Sequence, residues 1–322
     1  MHDDDVVARA VAVLRGGGVV AIPTETVYGL AADVANPAAV ARVYAIKGRP
    51  PEHPLIVHAH GVDALEGYVA EITPALRALA ARFWPGPLTA IVARGARTPR
   101  AVTGGQDTVA VRVPEHPLAR AILGAFGGAL AAPSANRFGL VSPTTAEHVR
   151  ADLGAEVDLI VDGGPARVGV ESTIVDLTGA VPAVLRAGAI TPSQLGDALG
   201  VPVVTRVGGA VRAPGTLRSH YAPRARVVLV EPDARAAEVR RLAGAGGRIA
   251  LLTLPDDPGA AARTLYATLR ALDADGYATI VATLPADTEA NAAVRDRLTR
   301  AAAPRTAPDS PRAWLGQSPN TH

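Results

Sequence analysis

At 322 residues the chain is long enough for two domains, each burying its own core. It is 48% apolar with only three Phe and two Trp, so alanine, valine and leucine must fill those cores; the absence of cysteine excludes disulfides, thiolate zinc sites and a cysteine nucleophile. A net charge of +2, from 32 basic and 30 acidic residues, argues against the concentrated basic face of a nucleic-acid binder.

In chain order, the acidic start Met-His-Asp-Asp-Asp lacks the basic region of a secretory signal. No apolar run approaches the ~20 residues of a membrane span, so cytoplasm is the expected compartment. Residues 18–22 read as a strand ending in the polar turn Pro23-Thr24-Glu25-Thr26. Asn36 and Pro37 form an N-cap and first-turn proline for a helix through Ile46, which Gly48 and Pro50 end. Strands follow at 55–58 and 108–113, with a helix opened by Thr73-Pro74 between them; alternation places Thr108, Ala110 and Arg112 on one face. Further strands are read at 129–132, 158–161, 171–175 and 183–186, and Thr191-Pro192-Ser193-Gln194 is a capping box. Mixed hairpin and helix-separated strands predict an α/β fold with a mixed twisted sheet, covering residues 1–200. Residues 201–224, rich in glycine, proline and arginine, read as a linker, though His220-Tyr221 is richer chemistry than a spacer needs. Three strand–helix units over 225–302 predict a smaller, Rossmann-like parallel α/β domain, and residues 303–322 read as a disordered tail.

Lys47 is the single lysine among 32 basic residues. It stands two residues from Arg49, at the end of the predicted helix. An ammonium point charge beside a guanidinium fork suits a polyphosphate or carboxylate; the plainer alternative is a solvated helix-end charge favoured by the dipole. The lysine is followed by glycine, so there is no P-loop. No Gly-x-Ser-x-Gly elbow or His-Glu-x-x-His helix occurs, which argues against a hydrolase triad and a protein-held metal. The remaining polar groups collect at predicted strand ends: Ser134, Asn136, Ser142 and Ser172, with Lys47, Arg49, His58, Arg112 and Arg186. In open α/β sheets such ends are where ligands gather.

Pro23-Thr24-Glu25-Thr26-Val27-Tyr28-Gly29-Leu30, Lys47-x-Arg49-Pro50 with Pro54-Leu55, and Trp84-Pro85-Gly86-Pro87-Leu88-Thr89 follow one another in a recognisable order. Thr108-Val109-Ala110-Val111-Arg112, Pro133-Ser134-Ala135-Asn136 and Gly169-Val170-Glu171-Ser172-Thr173-Ile174 complete it. The pattern resembles the YrdC/Sua5 family of L-threonylcarbamoyladenylate synthases over about residues 7–200. The segment ending His220-Tyr221-Ala222-Pro223 and the unit after it resemble the longer Sua5 type.

The resemblance implies a nucleotidyltransferase that condenses L-threonine, bicarbonate and ATP to threonylcarbamoyl-AMP and pyrophosphate. The product would pass to the tRNA threonylcarbamoyl-transferase machinery for modification of adenosine 37, and direct contact with tRNA would at most be weak. It implies a YrdC-like fold with a concave, positively lined cavity. Thr26, His58, Arg112, Ser134 and Ser172 fall where the family holds threonine. Lys47, Arg49, His53, Thr108, Ala132, Asn136, Ser142, Arg186, His220 and Tyr221 fall where it holds ATP, with a histidine at 53 where relatives often carry asparagine. Lys47 and Arg49 are the expected catalytic pair, Arg112 a bidentate partner for the threonine carboxylate, and Mg²⁺ would arrive with ATP. The linker would close over the site. The rival reading is an RNA-binding module using the same cavity, against which stands the lack of aromatic stacking platforms.

Overall fold

The structure, a computed structural model, describes residues 3–209, 211–244 and 247–304. Its first unit contains α1 (Asp3–Arg15), β1 (Val20–Ile22), β2 (Gly29–Asp33), α2 (Pro37–Lys47), β3 (Ile56–His58) and α3 (Pro74–Phe83). It continues with β4 (Leu88–Ala93), β5 (Thr108–Arg112), α4 (Pro117–Phe126), β6 (Leu130–Ala131), α5 (Ala146–Leu153) and β7 (Leu159–Ile160). β8 (Thr173–Asp176), β9 (Ala183–Arg186), α6 (Pro192–Leu199) and β10 (Val204–Thr205) complete it. The second unit has β11 (Arg226–Leu229), α7 (Arg235–Ala243), β12 (Ile249–Leu251), α8 (Pro258–Ala274), β13 (Thr279–Ala282) and α9 (Ala292–Ala302).

The first ten strands form one mixed sheet in the order β10-β9-β8-β4-β5-β3-β6-β2-β1-β7, and the last three a small sheet, β11-β13-β12, with parallel neighbours throughout. The two expected architectures are therefore both present. The parallel register of β3 on β5 pairs His58 with Arg112, so these chemically useful residues stand side by side at the carboxyl ends of adjacent strands. β4 and β8 run parallel as well, with Leu88 opposite Thr173, which brings Thr89 beside Ser172.

α2 follows its sequence signals: the Asn36 side chain accepts from Ala38 and Ala39 N–H, Pro37 occupies the first turn, and Gly48 closes the helix at a φ of +59°. Lys47 is its last residue and is 2% exposed. The solvated helix-end reading is thereby excluded.

The segment read as a linker begins with a strand, β10, which extends the large sheet beside β9, and Arg206 beyond it pairs with the buried Asp176. Ala213 then packs with Ile56, Ile91, Ala110 and Ile174. A buried cluster joins Val27, Val141 and Val170 of the first unit to Tyr221, Leu265, Tyr266 and Leu298, so the two units share one core where they meet. No helix among the described residues is long and apolar enough to cross a membrane. The tail expected from residue 303 falls at 305–322, outside the described residues, as does Trp314.

Candidate active site

The carboxyl ends of β3 and β5, the loop after β6, the entrance to β8 and the segment 214–221 enclose one cavity. At one wall Arg112 donates from Nε to the Gly86 carbonyl (3.2 Å), from Nη1 to the Thr26 hydroxyl (2.8 Å) and from Nη2 to Glu25 (2.7 Å). The Arg112–Glu25 pair is buried, and the second Glu25 oxygen accepts the Glu115 N–H. Arg112 is thus fixed by three partners before any ligand arrives, with one further N–H on each terminal nitrogen. His58 is buried beside it; burial first, and the Arg112 guanidinium second, push its imidazole down to about 3. The ring is neutral at pH 7. Its Nδ1 lies 3.2 Å from the Ile56 carbonyl, a contact satisfied when Nδ1 carries the proton and Nε2 is left as an acceptor.

Opposite, the Ser172 hydroxyl shares a 2.7 Å hydrogen bond with Thr89. Arg186 straps the same residue: Nε and Nη2 donate to the Ser172 carbonyl and Nη2 to its hydroxyl, while Nη1 reaches the Pro214 carbonyl at 3.1 Å. One guanidinium therefore ties the sheet to the covering segment. Arg49 donates from Nε to the His53 carbonyl and from Nη2 to the Pro54 carbonyl, lies over the Phe138 ring, and is lowered by burial to about 10. Lys47 Nζ donates to the Ser134 and Asn136 carbonyls at 2.5 and 2.6 Å, which leaves one N–H for another acceptor. Burial, followed by repulsion from Arg49, holds its ammonium well below the usual range.

Lys47, Arg49 and Arg186 form no ion pair with a carboxylate among the described residues; their partners are carbonyls and hydroxyls. Three buried cations so placed carry a desolvation cost that an anionic ligand would offset. Two buried polar atoms near them also lack a hydrogen-bond partner, Asn136 Oδ1 and His220 Nδ1. A group of three or more His, Asp or Glu side chains suited to a metal ion does not occur among the described residues.

Of the residues proposed from sequence, Thr26, Arg49, His58, Arg112, Ala132, Ser134, Ser172, Arg186, His220 and Tyr221 line the cavity. Lys47 stands behind the 134–136 loop that it holds. Asn136 donates to the Arg137 and Leu140 carbonyls, and His53 meets Phe138 at 5.2 Å between ring centroids. Ser142 is engaged by Glu171, and Thr108 lies at the far end of β5 from Arg112. None of these five lines the cavity.

Glu171 is the principal residue that the sequence reading passed over. It lines the cavity, accepts from Ser142 Oγ, and receives both Tyr266 Oη and Arg297 Nε at 2.8 Å. Burial alone would push this carboxyl up; Arg297, Arg186 and the Ser142 hydroxyl outweigh it and hold it at about 2. Its place beside Ser172 was a usable signal, but its partners lie 95 and 126 residues away.

A mixed α/β sheet with buried, carboxylate-free cations gathered from a strand end and a helix end, under a folded covering segment, defines an anion-binding α/β protein. The comparisons narrow this class. The Sua5_yciO_yrdC model, described as telomere recombination, matches residues 12–188, and the Sua5_C model, the threonylcarbamoyl-AMP synthase C-terminal domain, matches residues 190–303. The chain belongs to the Sua5/YrdC family, in the form that carries the Sua5 C-terminal domain. The threonylcarbamoyl-AMP synthase of Bacillus subtilis (strain 168) is 38% identical, with 94% of each chain covered. The crystal structure of Pyrococcus abyssi Sua5 complexed with L-threonine superposes with a TM-score of 0.88 at 35% identity, covering 94% of this chain and 95% of that one. A variant of that archaeal protein, with a His and the adjacent Tyr changed to alanine, gives 0.87 at 34% identity, covering 94% and 93%.

Proposed function

We propose that this protein is an L-threonylcarbamoyladenylate synthase, a nucleotidyltransferase that joins L-threonine, bicarbonate and ATP into threonylcarbamoyl-AMP and pyrophosphate. The observation that carries the reading is the pair of buried cations without carboxylate partners, Arg49 and Arg186, lining a cavity furnished with the Thr26, Ser134 and Ser172 side chains, with Lys47 behind the 134–136 loop. A triphosphate supplies the missing negative charge. An amino acid with a hydroxyl matches the rest, and the structure of a relative holding L-threonine supports that choice.

In this reading the threonine amine combines with bicarbonate to give a carbamate, and water leaves. A carbamate oxygen attacks the α-phosphorus and pyrophosphate departs. The step needs placement and charge neutralisation more than a protein nucleophile. Arg49 and Arg186 face the phosphates, and Lys47 adds its remaining donor while holding the Ser134 carbonyl. Arg112, already oriented by Glu25, offers its two remaining N–H groups to the threonine carboxylate. Neutral His58 offers Nε2 to an amine or hydroxyl proton. Asn136 Oδ1 and His220 Nδ1 are natural partners for the nucleotide, and Mg²⁺ enters as part of the MgATP substrate.

The segment 213–221 keeps water from the carbamate by covering the ligand. His220-Tyr221 is the sole His-Tyr dipeptide in this sequence, and the same dipeptide type was changed in the archaeal variant. An RNA chain fits this reading poorly, because the segment encloses the cavity. The product would serve tRNA threonylcarbamoylation at adenosine 37, in the cytoplasm.

The test is pyrophosphate release and labelled-adenylate formation with ATP, MgCl₂, labelled bicarbonate and each of threonine, serine and valine. Turnover should require threonine and bicarbonate together, with serine intermediate. Valine should fall by at least about 100-fold, because a site built around a substrate hydroxyl strands its polar groups when that hydroxyl is missing. Equal turnover with valine would refute the assignment.

A further inference from the structure

Arg297 is the largest fully buried side chain among the described residues, and it lies in the second unit, on α9. A guanidinium in such a place must have its donors met, and the partners it has chosen are informative. Nε donates to Glu171 in the cavity wall, Nη2 to the Ala187 carbonyl next to Arg186, and Nη1 to its neighbour Asp296. Its Cζ sits 4.8 Å from the centre of the Tyr221 ring, in the covering segment. One side chain therefore touches both walls that carry Ser172 and Arg186, and also the segment that closes over them.

The surroundings reinforce that arrangement. Tyr266, on α8, donates to the same Glu171 oxygen and stacks on Tyr221 at 5.9 Å between centroids. One turn along α9, Arg300 accepts the His220 N–H with its carbonyl and donates to the Leu217 carbonyl. Tyr221 itself has a φ of +60°, a conformation that costs a non-glycine residue about 1–2 kcal/mol and persists where contacts over-determine it. Arg297 beneath the ring and Tyr266 against it are those contacts.

We propose that Arg297 is a positioning residue, through which the second unit sets the closed position of the His220-Tyr221 segment and the Glu171-Ser172 wall around the ligand. The proposal rests on the functional reading above for its chemistry, and on these contacts for its geometry. When the segment fails to close, water reaches the carbamoyl–phosphate anhydride and splits it to AMP and the carbamate. Pyrophosphate release then runs ahead of intact adenylate.

The test uses the full chain and Arg297→Met, Arg297→Lys and Tyr266→Phe. Each is assayed for adenylate and pyrophosphate with ATP, threonine and bicarbonate, and for ATP affinity by calorimetry without turnover. For Arg297→Met the expected result is ATP affinity and kcat each reduced by roughly tenfold or more, with an increased ratio of pyrophosphate to adenylate. Arg297→Lys should recover part of each loss, since it restores the charge beside Glu171 without the planar fork. Tyr266→Phe should change the same ratio in the same direction at near-parental melting temperature, and it decides the matter should Arg297→Met fail to fold. Parental ATP affinity and product ratio in Tyr266→Phe and Arg297→Lys would overturn the proposal. A parent that binds ATP but forms no adenylate would overturn the functional reading instead, and the calorimetric comparison would still decide the role of Arg297.

Discussion

Replacing Lys47 by arginine separates a charge that merely ends a helix from an ammonium built into the site. A solvated helix-end lysine would tolerate the change within about 0.5 kcal/mol. Here Lys47 is 2% exposed and its Nζ accommodates two carbonyls, of Ser134 and Asn136, at 2.5 and 2.6 Å. A guanidinium is wider and planar, and forcing it into a packed interior costs about 1–3 kcal/mol. Whatever gives way includes the 134–136 loop, because those two carbonyls are what the charge holds. A displacement of about 1 Å at a reacting centre costs on the order of 100-fold in rate. Lys47→Arg should therefore unfold a few degrees lower and lose roughly 100-fold in adenylate formation, with weakened threonine binding because Ser134 moves. Arg42→Lys, on the same helix and paired with Asp158 at the surface, is the control and should change neither property appreciably. Melting curves and initial rates over a grid of ATP and threonine concentrations measure both. Full turnover in Lys47→Arg would refute the reasoning, including the weight placed on the lone lysine.

Acid should destabilise the protein through His58. Its folded value of about 3 lies below the usual 6.5, so between these the unfolded chain binds a proton that the folded one does not, and stability falls as pH drops through that window, by about 1.4 kcal/mol per unit at most. Below about 4.5, Glu171, held at about 2, adds a loss of the same sign. Denaturant titrations at pH 7, 6, 5 and 4 should show this slope for the parent and a reduced one for His58→Gln between pH 6 and 5; identical slopes would exclude His58 as its source. Gly215→Ala should open the covering segment, because a Cβ there would stand 1.9 Å from the Tyr221 hydroxyl at a φ of +77°. The expected result is an ATP KM raised about tenfold or more with the sheet core intact by circular dichroism; an unchanged KM would show that the segment does not bear on ATP.

The elements legible in sequence were those with local chemistry. Asn36, Pro37 and Gly48 mark both ends of α2, and the Thr191 capping box opens α6 as expected. β4 escaped because Leu88–Ala93 lies between β5 and β8 and is buried at all but its last position, so it shows no alternation. β10 lies in a stretch that composition marks as irregular. At the site, residue types were readable but their partners were not. Arg112 was expected to meet a ligand carboxylate; that Glu25, 87 residues away, already holds one N–H of its Nη2 was not legible. Lys47 was expected at a phosphate, yet two of its donors hold a loop. Sequence shows which groups can carry charge; only tertiary contacts show how much of their valence is already used.

That distinction bears on how such a site remains folded when empty. Each buried cation carries a desolvation cost, and carbonyl dipoles offset only part of it. Pairing Arg49 and Arg186 with carboxylates would relieve the cost, but would place negative charge where a triphosphate must sit. The carboxylates at and beside the cavity are both occupied: Glu171 in its lining by Arg297, Tyr266 and Ser142, and Glu25 behind it by Arg112. Glu171 lowers the positive potential felt by Lys47 and Arg186, while its oxygens are filled by Arg297, Tyr266 and Ser142. Arg297, which has no part in the cavity lining, therefore permits an acidic residue to stand in an anion site without competing with the anion. Removing it would leave Glu171 buried with one fewer compensating charge and free to approach Arg186, so the loss would appear first as weakened binding of the negatively charged substrate.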